Sequence, residues 1–208
     1  MASSDFPGKM SVMDFTMPAS AIVNIIRWLA LCGLLMIHAP VVAQHFTIDE
    51  ARIQTIGNGH VLNARIHYPL TPRVKEAIAN GIPVTFYQQF RLIKSIPILG
   101  KYWQWDQGLW RTEIRYTLRF HALSRQYLLV DRDTRHQRNF TTLTDALAAM
   151  GEIRRMSLPP EFFRKPQHLK LQIRTGIDVN ALPTPMRPGA LVSSKWQLTS
   201  PWVTAQWD

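Results

Sequence analysis

The sequence predicts a mainly β fold, an antiparallel two-layer sandwich carrying two short helices, and three observations predict it. Apolar and polar residues alternate with a period of two through residues 110–121, and the same period returns in residues 169–177. Successive strand side chains point to opposite faces, so this alternation marks a sheet with one packed face and one wet face. Turn-forming Gly, Asn and Asp residues punctuate the apolar stretches at hairpin spacing, and only two stretches carry both a helix start and a helix stop signal. A partly open β-barrel is the alternative closure of the same strands.

Each element has its own warrant. Residues 48–56 and 61–68 flank Gly57, Asn58 and Gly59, residues that accept the positive φ of a tight turn, so the two segments read as a hairpin. Thr71 and Pro72 suit the N-cap and first position of a helix that presents Val74, Ala77 and Ile78 and stops at Asn80-Gly81. Val84, Phe86, Phe90 and Leu92 form the apolar side of a third strand, which Gln88 interrupts, with Thr85, Tyr87, Gln89 and Arg91 opposite. A second hairpin runs from residues 127–130 through the polar turn 131–136 into 139–141. Thr142 and Asp145 have capping-box spacing at the head of a helix over 143–150, with Gly151 at its end. Pro183, Pro185 and Pro188 then favour an extended course for residues 183–208, and Trp196, Trp202 and Trp207 hold it along the domain, because each carries a large apolar area.

Before this domain stands a leader. Residues 28–37 form an apolar run with Arg27 ahead of it and Val41, Val42 and Ala43 behind it, the pattern of a secretory signal peptide cleaved after Ala43. Residues 1–43 are therefore expected to leave, whether translation begins at Met1 or at Met17, and residues 44–208 to act as a single β-rich domain. Anchoring in the inner membrane through residues 28–43 is the competing reading, against which stands length: a spanning helix needs about 20 apolar residues. Cys32 is the sole cysteine and lies in the leader, so packing rather than disulfides must hold the exported part.

The formal charge of the chain is +10, and the leader, with Lys9 and Arg27 against Asp5 and Asp14, adds nothing to it. A basic exported domain is drawn toward anionic partners, either an acidic surface on an envelope membrane protein or an anionic lipid surface. Nucleic acid is excluded as the expected partner by export and by the absence of any binding motif. Solubility alone also accounts for net charge.

Two candidate sites follow. The polar side of the 110–121 strand offers Arg111, Arg115 and Arg119 at four-residue spacing, about 13 Å apart. A neighbouring strand bearing Lys170 and Arg174 would complete a basic face for carboxylates or phosphates, which guanidinium grips in bidentate fashion. A charged exposed strand also guards against aggregation, which is the plainer reading. The second candidate is the connection 95–105, whose Tyr102, Trp103 and Trp105 are too apolar for an ordinary loop. It is either a hydrophobic tip for a bilayer or a partner's groove, or a flap that completes the core.

Catalysis and metal binding have little support. His45, His60, His67, His121, His136 and His168 show no paired spacing, and no cysteine is left to complete a zinc site, so neither metal nor cofactor is expected. Asp131, Asp133 and His136 offer carboxylates and an imidazole, but in a turn where Asp is favoured for local backbone bonding.

The run from Thr71 to Val84, the long 110–121 strand, residues 182–188 and residues 196–202 together resemble domain-of-unknown-function family 4390. That resemblance implies an exported proteobacterial protein, hence the periplasm or its membrane surfaces, and supplies no catalytic residues. The expected function is a non-catalytic envelope module binding an acidic partner. A lipid or lipopolysaccharide binder, with the tip or a cavity between the layers taking acyl chains, is the alternative. An envelope hydrolase using Asp131, Asp133 and His136 is a distant third.

Overall fold

Ten strands and three short helices follow one another in the computed structural model, which describes residues 45–97, 104–163 and 168–208. All of them belong to one unit, Ala43–Asp208. The expected signal segment, with its competing anchor reading, lies outside the described residues. Among those described, no helix is long and apolar enough to cross a membrane.

The strands form two sheets. β1 (Thr47–Ile56), β2 (Gly59–His67), β7 (Glu152–Leu158) and β10 (Gln206–Trp207) make a small sheet in the order β10-β1-β2-β7. β3 (Val84–Pro97), β4 (Gln104–His121), β5 (Gln126–Asp131), β6 (Gln137–Phe140), β8 (Leu169–Ile177) and β9 (Val203–Thr204) make a large sheet in the order β6-β5-β4-β3-β8-β9. The fold is therefore the expected mainly β two-layer arrangement, with no closed barrel.

Local chemistry explains the elements. Gly57, at φ 59°, turns β1 into β2, and Ile56 pairs with Gly59 across the two-residue loop. The Thr71 hydroxyl accepts from Val74 N at 3.4 Å at the head of α1 (Pro72–Ala79). Gly81, at φ 79°, ends that helix. Its N–H donates to Ile78 O, and the next N–H, of Ile82, reaches back to Ala77 O, the paired bonds of a left-handed C-terminal cap. In α2 (Leu143–Gly151), Asp145 N donates to the Thr142 hydroxyl, which donates in turn to the Asp145 carboxylate at 2.6 Å. The shorter acidic side chain thus meets the cap hydroxyl, where a Glu would reach the cap N–H.

The core falls into two apolar clusters between the sheets. One gathers Phe46, Tyr68, Val74, Phe86, Leu118 and Met150 under α1 and α2, and the other gathers Ile53, Leu62, Phe90, Leu92, Leu158 and Leu171 at the opposite end. Between Phe86 and Phe90 on β3 sits Gln88, only 1% exposed. Its amide nitrogen donates to the Tyr68 hydroxyl and to Met150 O, each at 2.9 Å. The Thr175 hydroxyl donates to Tyr87 O, so the Tyr68 hydroxyl is left to donate to Thr175 Oγ1, 3.2 Å away. Burial, partly offset by these hydrogen bonds, pushes the Tyr68 hydroxyl up from 10.0 to about 12.

The structure departs from the sequence expectations in three places. A third helix, α3 (Arg187–Leu191), forms inside the proline-rich segment, where Pro188 sits in the first turn and needs no donor. β7 carries no alternation because Arg154 and Arg155 bulge opposite Asn63, with Arg155 at φ 50°. The connection 95–105 is strand at both ends: β3 runs on to Pro97 and β4 begins at Gln104, with Ile96 paired to Trp105, while residues 98–103 lie outside those described.

The C-terminal segment forms an edge of both layers. Leu198 O accepts from Ile177 N and Ala205 N donates to Leu171 O, beside β8. β10 then pairs in parallel with β1, Arg52 facing Gln206 and Ile53 facing Trp207. Ala205, 3% exposed, is the single residue between the two strands.

Candidate functional site

The outer face of the large sheet places the predicted basic residues in rows set by strand register. Gln172, Arg91 and Arg111 form one row across β8, β3 and β4. Arg174, Gln89 and Glu113 form the next, and Gly176, Tyr87 and Arg115 the third. Lys170 lies one row beyond Gln172, opposite Ile93. β8 is thus no direct neighbour of β4. β3 lies between them and contributes Arg91, a residue absent from the expected cluster although the alternation of Tyr87, Gln89 and Arg91 had placed it on the polar side.

Trp202 organises the β3–β8 side of this face. Its ring lies 3.9 Å from the Arg91 guanidinium carbon and 5.9 Å from that of Arg174, distances at which a cation is attracted to the aromatic face. Arg91 Nε donates to Gln172 Oε1 at 2.9 Å, and Arg174 Nε donates to Thr199 Oγ1 at 3.3 Å. These bonds fix both guanidinium groups without neutralising either. Tyr87 lies over Gly176 and reaches Thr199 Oγ1 at 3.3 Å, filling the space a side chain at that position would take.

Arg115 differs. It pairs with Glu113 through Nε and with Asp178 at 3.8 Å. Partial burial of the Glu113 carboxyl works against ionisation, but hydrogen bonds from Gln89 and Arg115 and the nearby charges of Arg115 and Arg111 outweigh it. The carboxyl is held below its ordinary value. Arg119 pairs in register with Leu128 on β5 and stands about 27 Å along the strand from Arg111. The structure therefore brings together Arg91, Arg111 and Arg174, with Lys170 beside them, and leaves Arg115 paired and Arg119 remote. Among the described residues, no carboxylate lies within 4.0 Å of any of these four clustered cations.

Over residues 43–206 the chain matches the family described as a domain of unknown function, DUF4390. It belongs to that family. No curated protein and no solved structure matches it.

In this DUF4390 protein the second predicted site is divided. Tyr102 and Trp103 lie outside the described residues. Trp105 is 61% exposed and Ile96, its cross-strand partner, 39%. The β3–β8 pairing ends at Lys94, so these two stand on a two-stranded ribbon past the end of the sandwich. Because the β3–β4 register shifts between Leu92 and Ile93, Trp105 follows its partner Ile96 to the inner side, while Arg91 and Arg111 lie on the outer side. No single flat contact engages both sets.

The Asp131, Asp133 and His136 cluster forms a turn. Asp131 Oδ1 accepts from the N–H groups of Asp133 and Thr134 at 2.9 and 3.1 Å, and Asp131 N donates to His136 O. This is the local backbone bonding for which Asp is selected in turns, and it engages one oxygen of the Asp131 carboxylate.

Proposed function

We propose that this DUF4390 protein is a non-catalytic binding module of the cell envelope, and that the outer face of its large sheet receives an acidic surface on a membrane protein. The observation that carries this reading is the pair Arg91 and Arg174 around Trp202, with Arg111 opposite Arg91 on β4. Arg91 and Arg111 face one another across β3 and β4, and like charges directly opposite destabilise a sheet. The acid of the next row, Glu113, bonds Arg115 and Gln89 rather than either arginine of this pair, although the Arg111 charge acts on its carboxyl. Guanidinium groups already fixed by Nε bonds lose little freedom on gripping a carboxylate, which favours affinity.

Export rests on the leader expected before Gln44, and the envelope setting follows from it. An anionic bilayer is the second reading of the same charge. The division between basic and apolar groups counts against it, since a flat membrane would meet the arginines or the Ile96–Trp105 ribbon but not both.

The test is crosslinked capture from an envelope preparation with the tagged protein, alongside an Arg111→Glu/Arg174→Glu variant. One membrane protein enriched by the parent and lost in the variant is the expected result. An identical capture profile from both would remove the arginine face from consideration.

A further inference from the structure

The large sheet has six strands and the small sheet four, so the layers do not cover one another fully. Leu143 and Leu147 of α2 pack into the cluster that contains Leu129, Tyr127 and Phe140 of β5 and β6. Between the free edge of β7 and the inner face of β4 a cleft of about 460 Å³ remains. Ile114 and Tyr116 form one wall and Ile153 and Met156 the other, with Gln88 also lining the space.

Gln88 and Arg138 give this cleft a chemistry. Gln88 uses its amide nitrogen on Tyr68 and Met150 O, while Oε1 is buried and has no partner. Reversing the amide would set its oxygen against the Met150 carbonyl, acceptor on acceptor, so the orientation is fixed. An unmatched buried carbonyl is costly unless something donates to it. Arg138, which also lines the cleft, donates from Nη2 to Ala149 O at 3.3 Å, the carbonyl adjacent to Met150 O. No carboxylate lies within 4.0 Å of it among the described residues. Asp131 is held by turn amides, and Glu152 at the mouth pairs with Arg154.

An unmatched acceptor and a guanidinium with open donors thus hang on successive carbonyls at one helix end. On the inner side of β4 the strand continues past the cleft through Thr112 to Trp110, so the cleft's own apolar walls are Tyr116 and Ile114 against Ile153 and Met156, and its 460 Å³ is within the range of sites that enclose a small ligand. An extended peptide would need a regular ladder along β7, which the bulge at Arg154 and Arg155 breaks.

We propose that the cleft binds a hydroxylated long-chain fatty acid, its carboxylate on Arg138, its hydroxyl donating to Gln88 Oε1 and its chain between β4 and β7. This site lies on the opposite side of the large sheet from the arginine face and does not depend on it.

Calorimetric titration of the purified protein with β-hydroxymyristate and with myristate tests the assignment, using Arg138→Gln and Met156→Trp variants. Saturable one-site binding is expected, with the hydroxylated acid about ten-fold tighter, the gain from one hydrogen bond to a buried acceptor. Arg138→Gln should weaken both acids, and Met156→Trp should block the cleft. If Met156→Trp fails to fold, Arg138→Gln decides alone, because its side chain is half-exposed. Absence of saturable binding, equal affinity for the two acids, or an unaffected Arg138→Gln variant would overturn the proposal. So would displacement of the acid by a peptide with a free C-terminus at lower concentration, or an ordered water alone on Gln88 Oε1 in crystals soaked with the acid.

Discussion

Gly151, the last residue of α2, lies directly against the carbonyl oxygen of Ile66 on β2. A Cβ at this position would overlap that oxygen, while the Tyr68 ring, 3.4 Å away, would be in ordinary contact. Ile66 is held in register with Ile48, so the carbonyl has little room to retreat. Gly151→Ala should lower stability by about 1–3 kcal/mol, the usual cost of overpacking, read as a fall in the urea midpoint at unchanged slope.

The Tyr68 hydroxyl ties the two core clusters together through Gln88 and Thr175, and its titration gives a pH signature. Its folded value is about 12 against 10.0 for the unfolded chain. The folded state therefore holds the proton more tightly between those values, and stability is full below pH 10 and falls as pH rises toward 12. Burial raises the Tyr116 hydroxyl as well, so tyrosinate absorbance should show a late-titrating phase to which Tyr68 contributes. Tyr68→Phe should reduce that phase by one residue and cost about 1–3 kcal/mol, because Gln88 and Thr175 lose a buried partner.

Arg111→Glu should separate stability from binding. It replaces a like-charge cross-strand pair with an opposite one, worth about 0.5 kcal/mol in favour of folding. Thermal unfolding should therefore shift slightly upward while capture of the acidic partner falls. A variant that is both less stable and fully active in capture would contradict the role given to this pair.

Trp202→Ala should loosen the edge it clamps. The ring's stack on Arg91 is worth about 0.5–1 kcal/mol at a half-exposed site, and its apolar burial adds to this. Amide exchange at Ser200 and Ala205, which donate to Thr175 and Leu171, should quicken relative to the β3–β4 ladder.

Legibility followed periodicity. β4 and β8 were readable because each keeps one face apolar along its length, and α1 because Thr71, Pro72 and Gly81 state both its ends. β7 was not, since its bulge puts two arginines where alternation requires one. Arg91 was missed as a member of the arginine cluster because its neighbours on the face, Arg111 and Arg174, are set by strand order, which sequence spacing does not carry. Gln88 was legible as an interruption of an apolar face. Its orphaned oxygen depends on Met150, a residue on another element, and appears only once α2 has docked on the sheet.

β9 and β10 have a kinetic meaning. They border the large sheet and the small one, so neither sheet has its final edge until residues 203–207 have left the ribosome. Every earlier stage of synthesis leaves β8 and β1 with open rims, and the pairing of Ile53 with Trp207 joins positions near opposite ends of the folded domain. Such long-range closure is slow. The growing chain is thereby kept from locking both layers until β10 has emerged.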